Sequence, residues 1–260
     1  MKSVFISGSG KCGETFFFNL FKNHKNILAY DETRSMQHSF FKFSKYNNLQ
    51  IDEGPLFRAI EEDIKKVNAV GKMRLESSSY LSFHLKDLIE RFNSKVIILI
   101  RNPLDVAMDL KEKGWYKEKY FKEKKNKKIG YQGISKNFFD KHHNFSRISP
   151  KGKFFKKWNN LDQLLKIKWF WNESYKTIFE DLKNVPKNKY KVIKLEDFNY
   201  ISYIRLCKWL KIKPSVSKFM FNLKLNLVRK KNKKNDYNDL LLFNKFKSKI
   251  EKKFYKKNLI

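Results

Sequence analysis

A chain of 260 residues with no proline- or glycine-rich linker has room for one large α/β unit with a sizeable core, so a single domain over residues 1–260 is expected. Its 58 Lys and Arg against 26 Asp and Glu give a net charge of +32, which raises nucleic acid as a partner, but the charge runs along the whole chain rather than in one patch. It accompanies abundant Asn, Ile and Phe, which like Lys have A/T-rich codons, so genome composition accounts for much of the bias; nucleic-acid binding is disfavoured, while an anionic small ligand is still attracted.

Two cysteines, Cys12 and Cys207, make no disulfide framework and imply a reducing compartment. No apolar run approaches the ~20 residues of a membrane span, and the chain enters its first strand at once, leaving no room for a signal peptide. A cytoplasmic protein without a transmembrane segment is expected.

Val4, Phe5 and Ile6 form an apolar run suited to a buried parallel strand, and Ser7-Gly8-Ser9-Gly10 cannot continue it. From Glu14 the apolar residues Phe17, Leu20 and Phe21 fall at helical spacing. A strand, a glycine-rich turn and a helix collect backbone N–H groups at the helix start, a geometry for a phosphate or sulfate group. Gly8, Gly13 and Thr15 match the spacing of the triphosphate loop GxxxxGK[ST], but Glu14 stands at its lysine position. A carboxylate about 4 Å from a phosphate oxygen costs on the order of 4 kcal/mol at an effective dielectric of about 20. Binding of ATP or GTP in that manner is disfavoured.

The run Gly10-Lys11-Cys12-Gly13-Glu14-Thr15-Phe16 instead resembles the 5′-phosphosulfate loop of the sulfotransferases, with Lys11, Gly13 and Thr15 matching and Glu14 departing from the family's threonine. In itself, Glu14 reads as a first-turn acid favoured by the helix dipole. The resemblance implies an α/β fold of three layers with a central parallel sheet and a P-loop-like strand-loop-helix. It also implies a transferase that uses 3′-phosphoadenosine 5′-phosphosulfate (PAPS) and a hydroxyl-bearing acceptor.

A short strand over Ile27 to Tyr30 ends at Asp31-Glu32. By resemblance to glycan sulfotransferases, a carboxylate here serves as general base, with Glu32 the first choice and Asp31 the second; a hydroxyl is a poor nucleophile at neutral pH without one. Residues Gln37 to Asp52 have no clear period and read as loop and short helix. An amphipathic helix over Gly54 to Val67 and a strand over Val70 to Leu75 follow. Glu76-Ser77-Ser78-Ser79-Tyr80-Leu81 resembles a family segment whose lysine is missing, with Lys72 or Arg74 as substitutes. His84, in a helix from Ser82 to Phe92, reads as structural.

Val96 to Ile100 is a continuous aliphatic run, a central strand, so Arg101 emerges at its C-terminal end where open α/β sheets place ligands. The segment Arg101-Asn102-Pro103-Leu104-Asp105-Val106-Ala107 resembles the sulfotransferase 3′-phosphate motif, in which the arginine and a serine eight positions on bind the nucleotide. Asp109 holds that serine position, which asks for compensation by a neighbour such as Lys111. Asp105 reads as an acceptor that ties down the loop.

Residues 116–160 are lysine-rich and without period, a candidate substrate-covering insertion; His142-His143 lacks a partner at metal-ligand spacing, so no metal is expected. A long helix over Leu161 to Val185, a strand over Tyr190 to Leu195 and a helix through Trp209 complete the α/β pattern. Arg229 and Lys230 resemble part of a family loop that closes over the 3′-phosphate. The resemblance thus implies cofactor contacts from Gly10, Lys11, Cys12, Gly13, Glu14, Thr15, Phe16, Arg101, Asp109, Arg229 and Lys230, and catalytic roles for Lys11, Glu32 and Asp31. The acceptor it implies is a glycan or other small alcohol. Two alternatives remain: a nucleotide or sugar kinase with an atypical loop, and a catalytically silent basic module that binds anions.

Overall fold

A computed structural model describes residues 2–117, 145–229 and 248–255. Five strands form one sheet: β1 (Ser3–Ser7), β2 (Ile27–Asp31), β3 (Met73–Ser77), β4 (Lys95–Ile100) and β5 (Tyr190–Lys194), in the order β2-β3-β1-β4-β5. Every pairing is parallel. Alternate residues of a strand point to opposite faces, yet all five residues of β1 are buried, so helices cover the sheet on both sides. The expected three-layer α/β architecture is therefore the one observed.

The helices are α1 (Glu14–Phe21), α2 (Ser35–Asn47), α3 (Gly54–Ala69), α4 (Leu85–Phe92), α5 (Pro103–Glu112), α6 (Phe154–Asn159), α7 (Gln163–Asp181), α8 (Tyr200–Leu210), α9 (Lys218–Arg229) and α10 (Lys249–Phe254). Pro103 opens α5 where its missing N–H is not needed, with Asn102 Oδ1 capping the helix through Leu104 N.

Two boundaries differ from expectation. The strand expected over Val70 to Leu75 is shifted to Met73–Ser77, because Val70 is 63 % exposed and Gly71 turns the chain at φ 71°. The stretch from Gln37 to Asp52, read as loop and short helix, is mostly α2, a helix of 13 residues that begins at Ser35. Its buried side includes His38, Ser39, Lys42 and Ser44 beside Phe41 and Phe43, so no hydrophobic period marks it.

Candidate anion and nucleotide site

All five strands run the same way, so their C-terminal ends share one edge, and the loops leaving that edge bring distant residues together. The loop after β1 carries Lys11, Glu32 follows β2, Ser78 and Ser79 follow β3, Arg101 follows β4 and Glu196 follows β5. Gly10 and Gly13 take φ of 100° and 105°, the left-handed region that suits glycine, and Lys11 between them is at φ 57°. A Cβ on Gly8 would lie 2.7 Å from the Leu99 carbonyl oxygen, so β4 and the loop meet too closely for any side chain there.

Glu14 opens α1 but does not face solvent. It is 6 % exposed, and its carboxylate folds back into the loop, with Oε2 accepting from the Cys12 amide at 2.9 Å. Oε1 points toward Gly8, 3.1 Å from where a Cβ would sit, and has no hydrogen-bond partner. Burial raises the Glu14 pKa, opposed by the amides of Glu14 itself, Cys12 and Gly10 and by the charge of Lys11. Of these amides, Cys12 makes the hydrogen bond of ordinary geometry; the other two act at electrostatic reach.

Cys12 packs rather than reacts. Its thiol lies against the hydroxyls of Tyr175 at 3.2 Å and Ser9 at 3.3 Å, and burial pushes its pKa up to about 12. Phe16 is also turned inward, against Phe17, Phe198 and Phe221, so only its backbone faces the loop. Lys11 and Thr15 are exposed.

Arg101 leaves β4 and crosses to the loop. Its Nη1 donates to the Lys11 carbonyl at 2.9 Å and to Asp109 Oδ2 at 2.7 Å. The partner of Asp109 is thus Arg101 and not Lys111. The anchoring of the corner after β4 also differs from expectation: Asn102 N donates to Glu196 Oε1 at 2.6 Å, and the Tyr255 hydroxyl to Glu196 Oε2 at 3.2 Å, so Glu196 rather than Asp105 ties the corner down.

Glu32 sits at φ 50° with its amide donating to the Ser77 carbonyl at 3.1 Å. Its pKa is pushed up to about 7, by partial burial first and then by the charges of Glu14 and Asp31, against Lys11 and a hydrogen bond from Ser79. A carboxylate poised there suits a general base at neutral pH. Asp31 is raised too, by burial and by Glu76.

Neither proposed substitute for the missing lysine reaches this edge. Arg74 is fully buried within β3 and donates to Glu76 Oε2 at 2.6 Å, while Lys72 precedes β3 and so belongs to the opposite edge of the sheet. The residue that sequence reasoning missed is Lys42 of α2, which is 1 % exposed. Its ammonium lies 4.9 Å from the Phe83 ring centroid and 5.1 Å from that of Phe170. Burial lowers its pKa to about 7, opposed by the charge of Glu14. Nothing in the local sequence signals it, since lysines are abundant throughout.

A family model described as a sulfotransferase domain matches residues 1–198, three quarters of the chain and the whole of this edge. The chain belongs to the sulfotransferase family. Among solved structures, a sulfotransferase from Alicyclobacillus acidocaldarius is similar at TM-score 0.50 and 14 % identity, covering 95 % of this chain and 91 % of that one. The sulfotransferase domain from the curacin biosynthetic pathway gives 0.48 and 12 %, covering 90 % and 79 %. A mouse sulfotransferase complexed with PAP gives 0.42 and 13 %, covering 91 % and 67 %. No curated protein matches in sequence.

In this chain Arg229 is the last residue of α9, and Lys230 and His142-His143 lie outside the described residues. Among the described residues no group of three or more His, Cys, Asp or Glu could hold a metal ion, and no helix is long and apolar enough to cross a membrane.

Proposed function

We propose that the chain is a PAPS-dependent sulfotransferase, one unit over residues 1–260, that moves a sulfuryl group to the hydroxyl of a glycan or other small alcohol in the cytoplasm. The observation that carries this reading is the single hydrogen bond from Arg101 Nη1 to the Lys11 carbonyl, 2.9 Å long, which joins an anion loop to an arginine at the end of the next strand. An anion loop and an arginine held together at one edge suit a nucleotide with phosphates at both its 5′ and 3′ positions.

In this reading the loop amides and Thr15 hold the phosphosulfate. Lys11, exposed beside them, neutralises charge on the bridging oxygen as it departs. Arg101 takes the 3′-phosphate, and Glu32, with Asp31 beside it, accepts the proton of the attacking hydroxyl. A cavity of about 500 Å³ between α2 and α3 is lined by Arg34, Gln37, Phe40, Ile51, Asp52 and Leu56.

The test is a thermal-shift comparison of 3′-phosphoadenosine 5′-phosphate (PAP) with ATP, followed by a sulfate-transfer assay over an acceptor panel. At one hundred times its dissociation constant PAP adds about 2.7 kcal/mol of stability. Equal shifts with ATP would overturn the reading in favour of a kinase-like loop, and strong salt-dependent anion binding without transfer would favour a silent basic module.

A further inference from the structure

The carboxyl group of Glu14 occupies the inside of the loop that has the geometry of an anion cradle. Three facts place it there: its 6 % exposure, the hydrogen bond from the Cys12 amide to Oε2, and the approach of Oε1 over Gly8 without any partner. An anion drawn to the loop amides therefore meets a carboxyl oxygen that already holds one amide and a second oxygen with nothing to bond. Were Glu14 ionised, the incoming group and the carboxylate would compete for the same N–H groups and repel each other at short range. Were it protonated, its O–H would be a donor aimed into the loop.

We propose that Glu14 determines which anion this loop accepts: the loop takes a sulfuryl or phosphoryl oxygen only with Glu14 protonated, and the Glu14 O–H then donates to that oxygen. This rests on the phosphosulfate reading of the loop and adds its selectivity. A neutral donor suits the terminal sulfuryl group of a phosphosulfate, which carries one negative charge. It serves poorly for the terminal phosphate of a triphosphate, with about two, where the corresponding loops place a lysine.

The surroundings keep the proton on Glu14. Lys11 and Cys12 of the loop, Glu32 after β2, Lys42 of α2 and Tyr175 of α7 are the titratable groups about it. Glu32 adds negative charge and Cys12 and Tyr175 stay protonated, so ionisation is favoured by the amides of Glu14, Cys12 and Gly10, by Lys11 and, below its lowered pKa, by Lys42. Burial outweighs them, and the raised pKa of Glu14 agrees with the geometry.

The probe is adenosine 5′-phosphosulfate, which has the phosphosulfate end and no group that titrates between pH 5 and pH 9. Calorimetric titration of the unaltered protein above neutral pH, in two buffers of different ionisation enthalpy, reports the protons taken up on binding. The expected result is no proton exchange where the free protein already holds the Glu14 proton and, as pH rises through the raised folded pKa of Glu14, uptake growing toward one proton per ligand with affinity falling up to tenfold per pH unit. In Glu14→Gln, whose amide donates without titrating, both effects should vanish while binding persists. Binding to the unaltered protein that shows neither proton uptake nor loss of affinity as pH is raised to 9 overturns the inference and leaves the phosphosulfate reading standing. Uptake that persists in Glu14→Gln assigns the proton to Lys42 or Glu32 and also overturns it. Absence of binding by both proteins at every pH overturns the phosphosulfate reading and this inference with it.

Discussion

The loop before α1 and the corner after β4 each carry a carboxylate where sulfotransferase motifs have a hydroxyl side chain, and the structure treats the two differently. Asp109 lies 2.7 Å from Arg101 with both side chains slightly exposed, 14 % and 13 %, so its charge is matched by a guanidinium. Glu14 is buried against backbone amides, with one oxygen unpartnered. The same kind of substitution thus gives a paired charge in one place and a desolvated, half-partnered carboxyl in the other. Charge at a site is decided by what desolvation and neighbours permit, not by residue type.

The largest effect expected separates the two regions by kinetics. Lys11→Ala should lower turnover by about 10²–10³ while nucleotide affinity changes far less, the signature of a contact made in the transition state. A loss of affinity as large as the loss of turnover, in steady-state and binding measurements, would reassign Lys11 to ground-state binding.

A buried group outside the site supplies a reference for Glu14. His38 is fully buried against His84, with neither ring nitrogen hydrogen-bonded, and burial pushes its pKa down to about 4, with Glu76 opposing and Arg74 and Arg34 adding. In the unfolded chain it titrates near 6.5, so its contribution is intact above that pH and is lost as pH falls toward 4, up to about 3 kcal/mol. Circular-dichroism melts at pH 7 and pH 4.5 should show a smaller drop for His38→Leu than for the unaltered protein. Equal drops would mean that His38 is not the acid-sensitive group.

Breaking the ion pair is the next effect. Arg101→Ala should weaken PAP binding by about 10- to 100-fold, matching the ~1.5–3 kcal/mol of charge-assisted hydrogen bonds, and should also lower stability by stranding Asp109. Adding Asp109→Ser should recover stability and leave binding weak. Denaturant titration beside calorimetry distinguishes these, and recovered binding in the double variant would remove Arg101 from the nucleotide site.

Glu14 should show the opposite pH trend to His38. Its folded pKa is raised, so its contribution is fully present below the unfolded value near 4.5 and is lost as pH rises through the folded value. Glu14→Gln should therefore gain stability over the unaltered protein as pH rises, then hold that margin. A margin that stays constant with pH would show that Glu14 ionises in both states alike. The smallest effect is that of Asp109→Ser alone, which frees Arg101 and should strengthen PAP binding by about 1 kcal/mol in calorimetry.

What was legible in sequence is what depends on local pattern. The run from Val96 to Ile100 reads as a buried strand because both of its faces must be apolar, and Arg101 then follows at the ligand edge. Gly10 and Gly13 mark a turn because their backbone angles exclude most side chains, and the family motifs lie on those same two segments. What only the tertiary structure decided depends on the environment of a charge. The length of α2 was not legible, beyond a short helix, because its buried side carries His38, Ser39, Lys42 and Ser44, whose burial depends on helices and loops far away in the chain. Lys42 comes to lie between Phe83 and Phe170, Asp109 turns to Arg101 rather than Lys111, and Glu14 turns into its own loop rather than to water. A carboxylate or ammonium reads the same in any sequence; its proton, its partner and its competition with a ligand are set by the solvent it loses and the groups folded around it.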